Sequence, residues 1–540
     1  MAADPVALSV FNSLLSSVAE EMGATLVRSS LSPNIRERRD LSCAVFDARG
    51  RMVAQAAHIP VHLGAMPASV AAVQSLAPFA PGDLMLLNDP YLGGSHLPDV
   101  TMVSPVFTQG SRRRLIGFVS SRAHQSDIGG MTPGSMPIAQ ELIQEGLIIP
   151  PVRLYHRGIL NQDLQALIFR NVRTPDERRG DFEAQIAAQR TGEQRLAALA
   201  SKYGPSVLAR RMDQLLDYAE RLTRARLARV PDGVYEFDDA LDDDGSSDEP
   251  VPIRVKLTIE GGRIEADFTG SSPERPGSVN AVSAVTRSAV YYAVLCLIGG
   301  DAPLNSGCFR PVSFVLPEAS VVSPGPGKAV SAGNVETSQR IVDVVLGALA
   351  RALPELMPAA SSGTMNNVVI GGFDAERGRP FTYYETLAGG AGAGPWGSGL
   401  SAVHTHMTNT LNTPVEAIES TYPLRVTEYA IRYRTGGKGN HAGGDGLRRS
   451  YEFLTPAQVT LMTERRRLRP WGLHGGGDGA SGSNSLKSSG SEQVELPGKL
   501  SFAVSAGDVV TVETPGGGGW GRPSQADSMP DADGRGPQAD

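Results

Sequence analysis

The sequence contains only three cysteines, Cys43, Cys296 and Cys308, among its 540 residues. Three thiols cannot build a disulfide framework, and no pair of them has the spacing of zinc ligands, so reduced thiols are expected. Long hydrophobic runs are missing too, since the longest, residues 289–298, is half of the ~20 residues that a membrane span needs. The first residues lack the basic and apolar segments of a signal peptide. We therefore expect a cytoplasmic protein that makes no membrane contact.

Positive charge is also scarce, because 50 Lys and Arg face 57 Asp and Glu, for a formal net charge of −7. This balance argues against a nucleic-acid-binding surface, which needs a basic field. The phosphate-binding loop G-x-x-x-x-G-K-[ST] is absent: Gly327-Lys328 is followed by Ala, Gly437-Lys438 by Gly and Gly498-Lys499 by Leu. The chain is not expected to bind ATP through that device.

Glycine is abundant, with 61 Gly and 38 Pro in the chain. The glycines are neither periodic nor confined to one tract, which excludes collagen and a wholly disordered chain. Two stretches match G-x-G-x-x-G, at residues 392–397 and 477–482, but neither follows a clear strand or opens a helix. No Rossmann core is therefore predicted.

Helices are predicted at three places. Asp4 and Pro5 look like an N-cap and a first helical residue. An apolar stripe follows at Val10, Leu14, Val18, Met22 and Leu26, joined by Phe11 and Leu15. Residues 181–229 have helical composition, and residues 335–357 form a further strong helical pattern. Between these segments, short apolar runs alternate with Gly, Pro, Asn and Asp, which is typical of strands and loops.

Two β-hairpins are predicted from alternation, one over residues 251–270 with a turn at Gly261-Gly262 and one over residues 429–454 with a glycine-rich tip. The lack of a βαβ rhythm favours an α+β fold, a large mixed architecture of antiparallel sheets, hairpins and flanking helices. The predicted division is an N-terminal domain (1–230), a β-rich segment with a helix (231–330), a C-terminal glycine-rich α+β region (331–520) and a disordered tail (521–540).

A His-x-x-Asp spacing occurs twice, as His96 with Asp99 and as His124 with Asp127, each beside a glycine pair. Asp89 lies close before the first of them. Imidazoles and carboxylates are the ligand set of Zn, Mn or Fe, and two imidazoles with one carboxylate leave open positions for water or substrate. The alternative is that these side chains cap loops and turns, which Asp and His in glycine-rich segments often do.

Other polar residues allow two interpretations each. His58 and His62 are four apart, and His404 and His406 alternate as on a strand, so either pair could be ligands or a polar patch. For Glu141 and Glu145 we prefer a solvated helical face over a catalytic role. The run from Glu464 to Arg469 suits either phosphate binding or an inter-subunit ion-pair surface.

At these residues the chain resembles the hydantoinase B/oxoprolinase family, which includes B subunits of ATP-dependent N-methylhydantoin amidohydrolases and the matching half of 5-oxoprolinases. The alpha subunits of ketone carboxylases are related to it. The resemblance covers nearly the whole chain and includes IPVHLGAMP (59–67), GDLMLLNDPYLGGSHLPDV (82–100), SRAHQSDIGG (121–130), HTHMTNTLNTP (404–414) and TPGGGGWG (514–521). Several long motifs in one order are more specific than any single pattern.

The resemblance implies a divalent metal held by His96, Asp99 and His124. Asp89 stays a further candidate ligand from its position in the sequence, and metal identity stays open among Zn, Mn and Fe. It also implies a partner A subunit, an actin-like ATPase that uses ATP to phosphorylate the carbonyl of a small cyclic amide. The phosphorylated compound then passes to the B subunit, where a water activated by the metal would attack at neutral pH. Asp127 and His62 are the candidates for general base.

Three functions therefore remain open. The first is the B subunit of a cyclic amidohydrolase acting on a hydantoin or 5-oxoproline in a hetero-oligomer. The second is the alpha-type subunit of an ATP-dependent ketone carboxylase, which the family's longer carboxylase chains make less favoured. The third is a scaffold without catalysis that stabilises the A subunit. In each case, the glycine clusters are expected to form loops around a buried site and a subunit contact.

Overall fold

The computed structural model describes residues 4–56, 58–300 and 302–523. Most of the predicted tail therefore lies outside the described residues. The helices of the described part are α1 (Pro5–Ser29), α2 (Pro33–Arg36), α3 (His62–Gln74), α4 (Leu142–Glu145), α5 (Gln162–Arg170), α6 (Pro175–Tyr203), α7 (Pro205–Leu227), α8 (Ser283–Ile298), α9 (Ser338–Ala352) and α10 (Val415–Thr421). No helix within these ranges is both long enough and apolar enough to cross a membrane.

Helix α1 begins as predicted, because the Asp4 side chain accepts a hydrogen bond from the Val6 amide and Pro5 is the first helical residue. Its buried stripe includes Phe11, Leu15, Met22 and Leu26. The predicted stripe was wrong at its start: Val10 is exposed, because 3.6 residues per turn makes a strict spacing of four drift around the helix. The predicted helix over residues 181–229 is two helices, α6 and α7, divided at Gly204-Pro205.

The first sheet has seven strands, β1 (Leu41–Asp47), β2 (Met52–Gln55), β3 (Leu84–Leu87), β4 (Asp99–Phe107), β5 (Leu115–His124), β6 (Val152–His156) and β7 (Ile159–Leu160). Their order is β2-β1-β5-β4-β3-β6-β7, and every pair is antiparallel. Both faces are covered: Cys43 and Val45 pack towards α1 and α6, while Ala44 and Phe46 belong to the larger core on the other side. Strand β1 is consequently buried along its whole length.

The second sheet contains β8 (Gly233–Leu241), β9 (Val251–Glu260), β10 (Arg263–Asp267) and β11 (Val312–Val315) in the order β11-β10-β9-β8. Strands β9 and β10 form the hairpin predicted at Gly261-Gly262. Helix α9, which follows a π-helical turn at Gly333–Thr337, packs against β8 and β9. The contact joins the segments predicted as 231–330 and 331–520, and the limits of separate domains stay a prediction.

The C-terminal strands are β12 (Asn367–Asp374), β13 (Arg379–Thr386), β14 (Leu424–Arg432), β15 (Gly446–Phe453), β16 (Ala457–Met462), β17 (Ser483–Lys487), β18 (Gln493–Leu496), β19 (Lys499–Val504) and β20 (Val509–Glu513). They form two sheets, ordered β13-β12-β16-β19 and β14-β15-β20-β17-β18. One hydrophobic core contains side chains of both sheets, including Ile370, Tyr383, Tyr451 and Val510. The hairpin predicted over 429–454 is confirmed as β14 and β15. The α+β fold with antiparallel sheets is confirmed.

The glycine clusters of the C-terminal region pack on one another instead of around a site. The Gly517 amide donates to the Gly444 carbonyl at 2.9 Å, and the Gly437 amide donates to the Gly517 carbonyl at 2.8 Å. A Cβ built on Gly443 would lie 2.0 Å from the Gly517 carbonyl oxygen. Backbones approach this closely only where side chains are absent, so this block explains much of the glycine excess.

Candidate metal centre

The candidate site lies at one end of two neighbouring strands. Asp99 is the first residue of β4, His124 is the last residue of β5, and the antiparallel register places them directly opposite each other. Cross-strand neighbours have Cβ atoms about 5 Å apart, so this register alone brings the two ligand types together. The pairing explains why a histidine and an aspartate 25 positions apart form one site.

The loop before β4 brings in His96. Gly93 has φ of 99°, and a Cβ on Gly94 would lie 2.4 Å from the carbonyl oxygen of Asn88, so neither position accepts a side chain without strain. Asn88 holds the loop from inside, with its Nδ2 donating to the Leu97 carbonyl at 2.8 Å. The tight loop directs His96 back towards Asp99.

His96, Asp99 and His124 are all buried, and one ligand atom from each lies within 4.8 Å of the others. His96 Nε2 lies 3.3 Å from Asp99 Oδ2, and the two imidazole rings have centroids 4.9 Å apart. Both nitrogens of His96, Nε2 of His124 and Oδ1 of Asp99 have no hydrogen-bond partner. Each unpaired buried polar atom costs about 1–3 kcal/mol. Four of them in one cluster fit a group that binds there.

The protonation of the site favours metal binding. Burial lowers the pKa of His124 well below its usual value, and burial also lowers the pKa of His62 despite the nearby Asp99 carboxylate. The candidate ligand His124 and its neighbour His62, which contacts Asp99, are therefore neutral at pH 7. Neutral imidazole is the form that binds metal, and two imidazoles with one carboxylate suit Zn, Mn or Fe.

His124 is held on two sides. The Nδ2 of Asn34 lies 3.2 Å from His124 Nδ1 and donates to the His124 carbonyl at 2.7 Å. The ring of Tyr384 stacks on the imidazole with centroids 4.5 Å apart and planes 10° from parallel. Because both neighbours are buried or hydrogen-bonded, the imidazole is restrained without a bound group.

A small cavity of about 20 Å³, enough for about one water molecule, adjoins these residues. Its polar lining includes Asp40, Asn334, Thr386 and Thr408, and its apolar lining is Ile59, Val61, Val335, Met365 and Met407. Burial raises the pKa of Asp40 to about 6, although Arg38 lies 3.9 Å away. The cavity is a narrow chamber with a mixed polar and apolar lining next to the candidate ligands.

The candidate bases occupy different positions. His62, the first residue of α3, lies at the cavity with its Nε2 3.2 Å from Asp99 Oδ2 and its Nδ1 2.8 Å from Ser42 Oγ. Both of its nitrogens have partners, which fits a group that orients Asp99. The Asp127 carboxylate accepts from the amides of Gly129, Gly134 and Arg173 and pairs with the Arg173 side chain at 2.9 Å. This geometry fits a loop anchor and does not support a base.

Asp89 lies outside the ligand cluster. Its carboxylate accepts from the Tyr91 amide at 2.9 Å and caps a short 3-10 turn, so it matches the loop-cap alternative.

His58 Nδ1 accepts from the Cys43 amide at 3.0 Å and does not share a helical face with His62. His404 and His406 lie on the segment that enters the cavity wall, where the His406 Nε2 is 3.7 Å from Asp343.

The interpretation of Glu145 was wrong. Glu145 is fully buried, not solvated: its Oε1 accepts from the amides of Val330 and Ser331, and burial raises its pKa to about 7. A four-residue helix gives too little periodicity to reveal such burial. Glu141, by contrast, is exposed.

The run from Glu464 to Arg469 is mainly an internal ion-pair network, an alternative that the sequence did not suggest. Arg465 pairs with Asp239 at 2.7 Å and with Asp343 at 2.9 Å, and Lys499 pairs with Glu464 at 2.5 Å. These partners come from β8, α9 and β19, so the run joins elements of the same chain. Arginine forks suit buried pairs of this kind as well as they suit phosphate.

Sequence reasoning missed Asn34, Asp40 and Tyr384. Asp40 directly precedes the apolar strand β1, and a polar residue at the end of a buried strand was the only local signal. Tyr384 lies 260 positions after His124, and no local periodicity encodes such a contact. These residues enter the site through tertiary folding alone.

Comparison with known proteins identifies the family model Hydantoinase B/oxoprolinase over residues 4–523. An uncharacterized protein of Methanocaldococcus jannaschii is 40% identical over 97% of this chain and 92% of its own length. The 5-oxoprolinase 1 of Arabidopsis thaliana is 40% identical over 96% of this chain, which spans only 42% of that relative. A Pseudomonas protein (strain NS671) named as the B subunit of a D-/L-hydantoinase is 32% identical, with 96% and 90% coverage.

Two solved structures share the architecture. The ATP-dependent caprolactamase of Pseudomonas jessenii superposes with a TM-score of 0.90 at 28% identity, covering 98% of this chain and 93% of that one. An acetone carboxylase chain superposes with a TM-score of 0.87 over 97% of this chain and 77% of its own. At 20% identity the second likeness shows the fold alone. With a family model matching almost from end to end, this chain belongs to the hydantoinase B/oxoprolinase family.

Proposed function

We propose that this chain is the hydrolytic subunit of an ATP-dependent enzyme that opens a small cyclic amide such as a hydantoin or 5-oxoproline. The observation that carries the proposal is the buried trio His96, Asp99 and His124, whose unpartnered atoms converge beside a narrow cavity. A divalent ion held by these three residues would lower the pKa of water and polarise a substrate oxygen. The residues around it then have separate tasks.

The chain's own groups orient and enclose the reactants. His62 fixes the rotamer of Asp99, and Ser42 in turn fixes His62. Asn34 and Tyr384 hold the ring of His124. The apolar walls keep bulk water away from an activated amide, which would otherwise be hydrolysed without control. Such support by outer residues often determines metal affinity as strongly as the ligands do.

ATP chemistry is assigned to a separate A-type subunit, an actin-like ATPase that phosphorylates the amide oxygen. The absence of a phosphate-binding loop from the sequence supports this division. Two relatives support it as well: the Pseudomonas relative is named as one subunit of a hydantoinase, and the Arabidopsis 5-oxoprolinase contains the equivalent of this chain as 42% of a longer polypeptide. The remaining length of that relative has room for a further catalytic part.

Amide hydrolysis is favoured over ketone carboxylation by the structural neighbours. The caprolactamase is closer in identity, 28% against 20%, and the chain covers 93% of it against 77% of the carboxylase chain. The carboxylase therefore contains additional chain that has no counterpart here. A ring-opening hydrolase needs only water as its second reactant, which agrees with a small cavity.

The metal part of the proposal is tested by elemental analysis of the purified chain and of His96→Ala and Asp99→Asn. We expect about one divalent ion per chain in the wild type and a loss of at least tenfold in the variants. His156→Ala is the matched control, because its side chain is exposed and pairs with Asp83. A metal-free wild type, or metal content unchanged in His96→Ala, would refute the metal centre.

The reaction is tested by co-expression with an A-type subunit. ATP turnover is followed with hydantoin, with 5-oxoproline, and with acetone plus bicarbonate. We expect a cyclic amide to be opened only when both subunits and ATP are present, and His96→Ala to abolish the opening. Consumption of the ketone and bicarbonate alone would show a carboxylase, and full activity of His96→Ala would show a scaffold.

A further inference from the structure

Four exposed apolar side chains lie on β14 or on segments joined to it, and we call them the β14 patch: Leu411, Tyr429, Ile431 and Tyr433. Their exposed fractions are 50%, 48%, 40% and 76%. Tyr429 and Ile431 alternate along β14 and share one face of the strand, and Tyr433 follows in the turn directly after it. Exposed apolar clusters of this kind mark interaction surfaces, and tyrosine is enriched at the centre of such interfaces.

Strand β14 is also an open edge. It is the first strand in the order β14-β15-β20-β17-β18, so within the described residues no strand pairs with its outer side. Six of its nine residues are exposed, including five consecutive ones from Thr427 to Ile431. A nine-residue edge with aromatic side chains invites strand pairing or aggregation unless something covers it. A bulge between Val426 and Glu428 interrupts its pairing with β15 near one end and leaves the aromatic part regular.

The apolar surface continues beyond β14. Trp396 and Leu400 are 69% and 68% exposed and lie on a glycine turn. This turn packs against the tip of the same hairpin: the Gly399 amide donates to the Ala442 carbonyl, and the Ala402 amide donates to the Asp445 carbonyl. The patch is therefore extended by two large side chains on an adjoining loop.

The β14 patch is connected to the cavity through one short segment. Thr408 lines the cavity, and the Leu411 amide donates to the carbonyl of Arg38 at 2.9 Å. Asn412 Oδ1 accepts from the hydroxyl of Tyr429 at 3.0 Å. A few residues of chain therefore separate the wall of the chamber from the exposed strand.

A series of side-chain contacts through the interior also connects the β14 patch with the candidate site. The guanidinium of Arg449 lies over the Tyr429 ring at 4.6 Å, and Arg449 lies 3.7 Å from Glu385. Glu385 pairs with Arg38 at 3.1 Å, and Arg38 covers the ring of Tyr384, which stacks on His124. An occupant of the patch would thus touch the outer end of the stack that supports a candidate ligand.

We infer that the β14 patch is the docking surface for the ATP-using partner subunit, which rests on the function proposed above. That function requires a second protein to deliver an unstable phosphorylated amide into a narrow cavity. A short transfer path needs contact close to the chamber, and the Leu411 end of this apolar edge is three residues from Thr408 in the chamber wall. The β14 edge additionally offers backbone donors and acceptors to which a segment of the partner can add as a strand.

A second copy of this chain is the competing occupant. It would cover the apolar edge equally well, but it would bring no source of activated amide to the cavity. The two occupants differ in what is lost when the patch is disrupted: partner binding in one case and self-association in the other. The experiment measures both.

The test uses the full chain carrying Ile431→Lys or Tyr433→Asp, with Ile159→Lys as matched control because Ile159 is 74% exposed on a different sheet. Binding to the purified A subunit is measured by titration, and oligomeric state by light scattering. Circular dichroism and metal content verify that each variant is folded and that its metal site is intact. We expect at least tenfold weaker partner binding for both patch variants and unchanged partner binding for the control.

Partner binding that is unchanged in both patch variants would overturn the inference, and so would loss of self-association with partner binding retained. Either result leaves the proposed function standing if the wild-type pair still opens a cyclic amide. A wild-type chain that binds no A subunit would refute the proposed function, and the docking surface with it.

Discussion

The packing of the C-terminal glycine clusters on one another, which includes Gly437, Gly443, Gly444 and Gly517, can be tested by a substitution at Gly517. Its amide donates to the Gly444 carbonyl at 2.9 Å, and its own carbonyl accepts from the Gly437 amide at 2.8 Å. A Cβ added at Gly517 would lie 2.1 Å from the carbonyl oxygen of Ala391. Because the obstacle is backbone held by its own hydrogen bonds, it cannot rotate away as a side chain could. Gly517→Ala must therefore push two backbone segments apart.

The magnitude follows from three contributions. Overpacking costs about 1–3 kcal/mol, and weakening two backbone hydrogen bonds costs about 1 kcal/mol each. Replacing glycine by alanine returns about 0.4–1 kcal/mol, because the unfolded chain has less freedom to lose. The expected net loss in free energy of unfolding is about 3 kcal/mol. For a chain of this size unfolding in one step, that lowers Tm by about 3 °C.

Gly477→Ala is the matched control from the same block. A Cβ there would meet its nearest neighbour, the Lys438 carbonyl oxygen, at 3.5 Å, an ordinary contact. Thermal and urea unfolding of the two variants beside the wild type should show Gly477→Ala near the wild type and Gly517→Ala clearly below it. Equal stability of the two variants would show that the block is not limited by backbone approach, and the explanation of the glycine excess would be refuted.

Two further outcomes are expected. Burial raises the pKa of Glu336 to about 8 from 4.5, so the folded chain keeps a proton that the unfolded chain releases. The stability that this proton contributes is complete below about pH 4.5 and is lost as pH rises through about 8. Glu336→Gln should remove up to about 5 kcal/mol of this pH-dependent change in the free energy of unfolding. If the Tm of the wild type and of Glu336→Gln changed in parallel over pH 5–9, the prediction would be contradicted. His62→Ala should weaken metal binding about tenfold, because it removes one of the two side chains, with Ser95, that hold Asp99 Oδ2. Chelator competition measures the affinity, and an unchanged value would exclude the orienting role of His62.

The parts of the site that could be predicted are those encoded by local sequence. His96, Asp99 and His124 were found because two His-x-x-Asp spacings lie in neighbouring glycine loops, and the resemblance selected among them. Asp127 has the same spacing as Asp99, yet Arg173 and three loop amides surround it. Spacing describes which residues are near along the chain, and it contains no information about which counter-charge arrives from a distant part of the chain.

The parts that failed are those decided by long-range packing. Glu145 was assigned to solvent because its helix has only four residues, but residues 330 and 331 supply the amides that make its burial possible. The glycine clusters were correctly recognised as sites of close backbone approach, but the segments that approach them were not. A glycine in the sequence indicates that another part of the chain can come close, and it does not identify which part. The arginine run failed in the same way, since its acidic partners lie on β8 and α9.

The candidate site is formed by residues from more than one of the predicted segments, so none of these segments contains it alone. The first sheet and the loop before β4 supply all three candidate ligands, whereas Asn334, Met365, Tyr384 and Thr408, from beyond residue 330, close the cavity over them. The same C-terminal region carries the β14 patch and the arginine that connects it to Glu385. One half of the fold holds the ligands and the other half holds both the chamber wall and the proposed docking edge, so partner contact and chamber shape would depend on the same half of the chain. That dependence favours a hydrolytic subunit that works only within its complex.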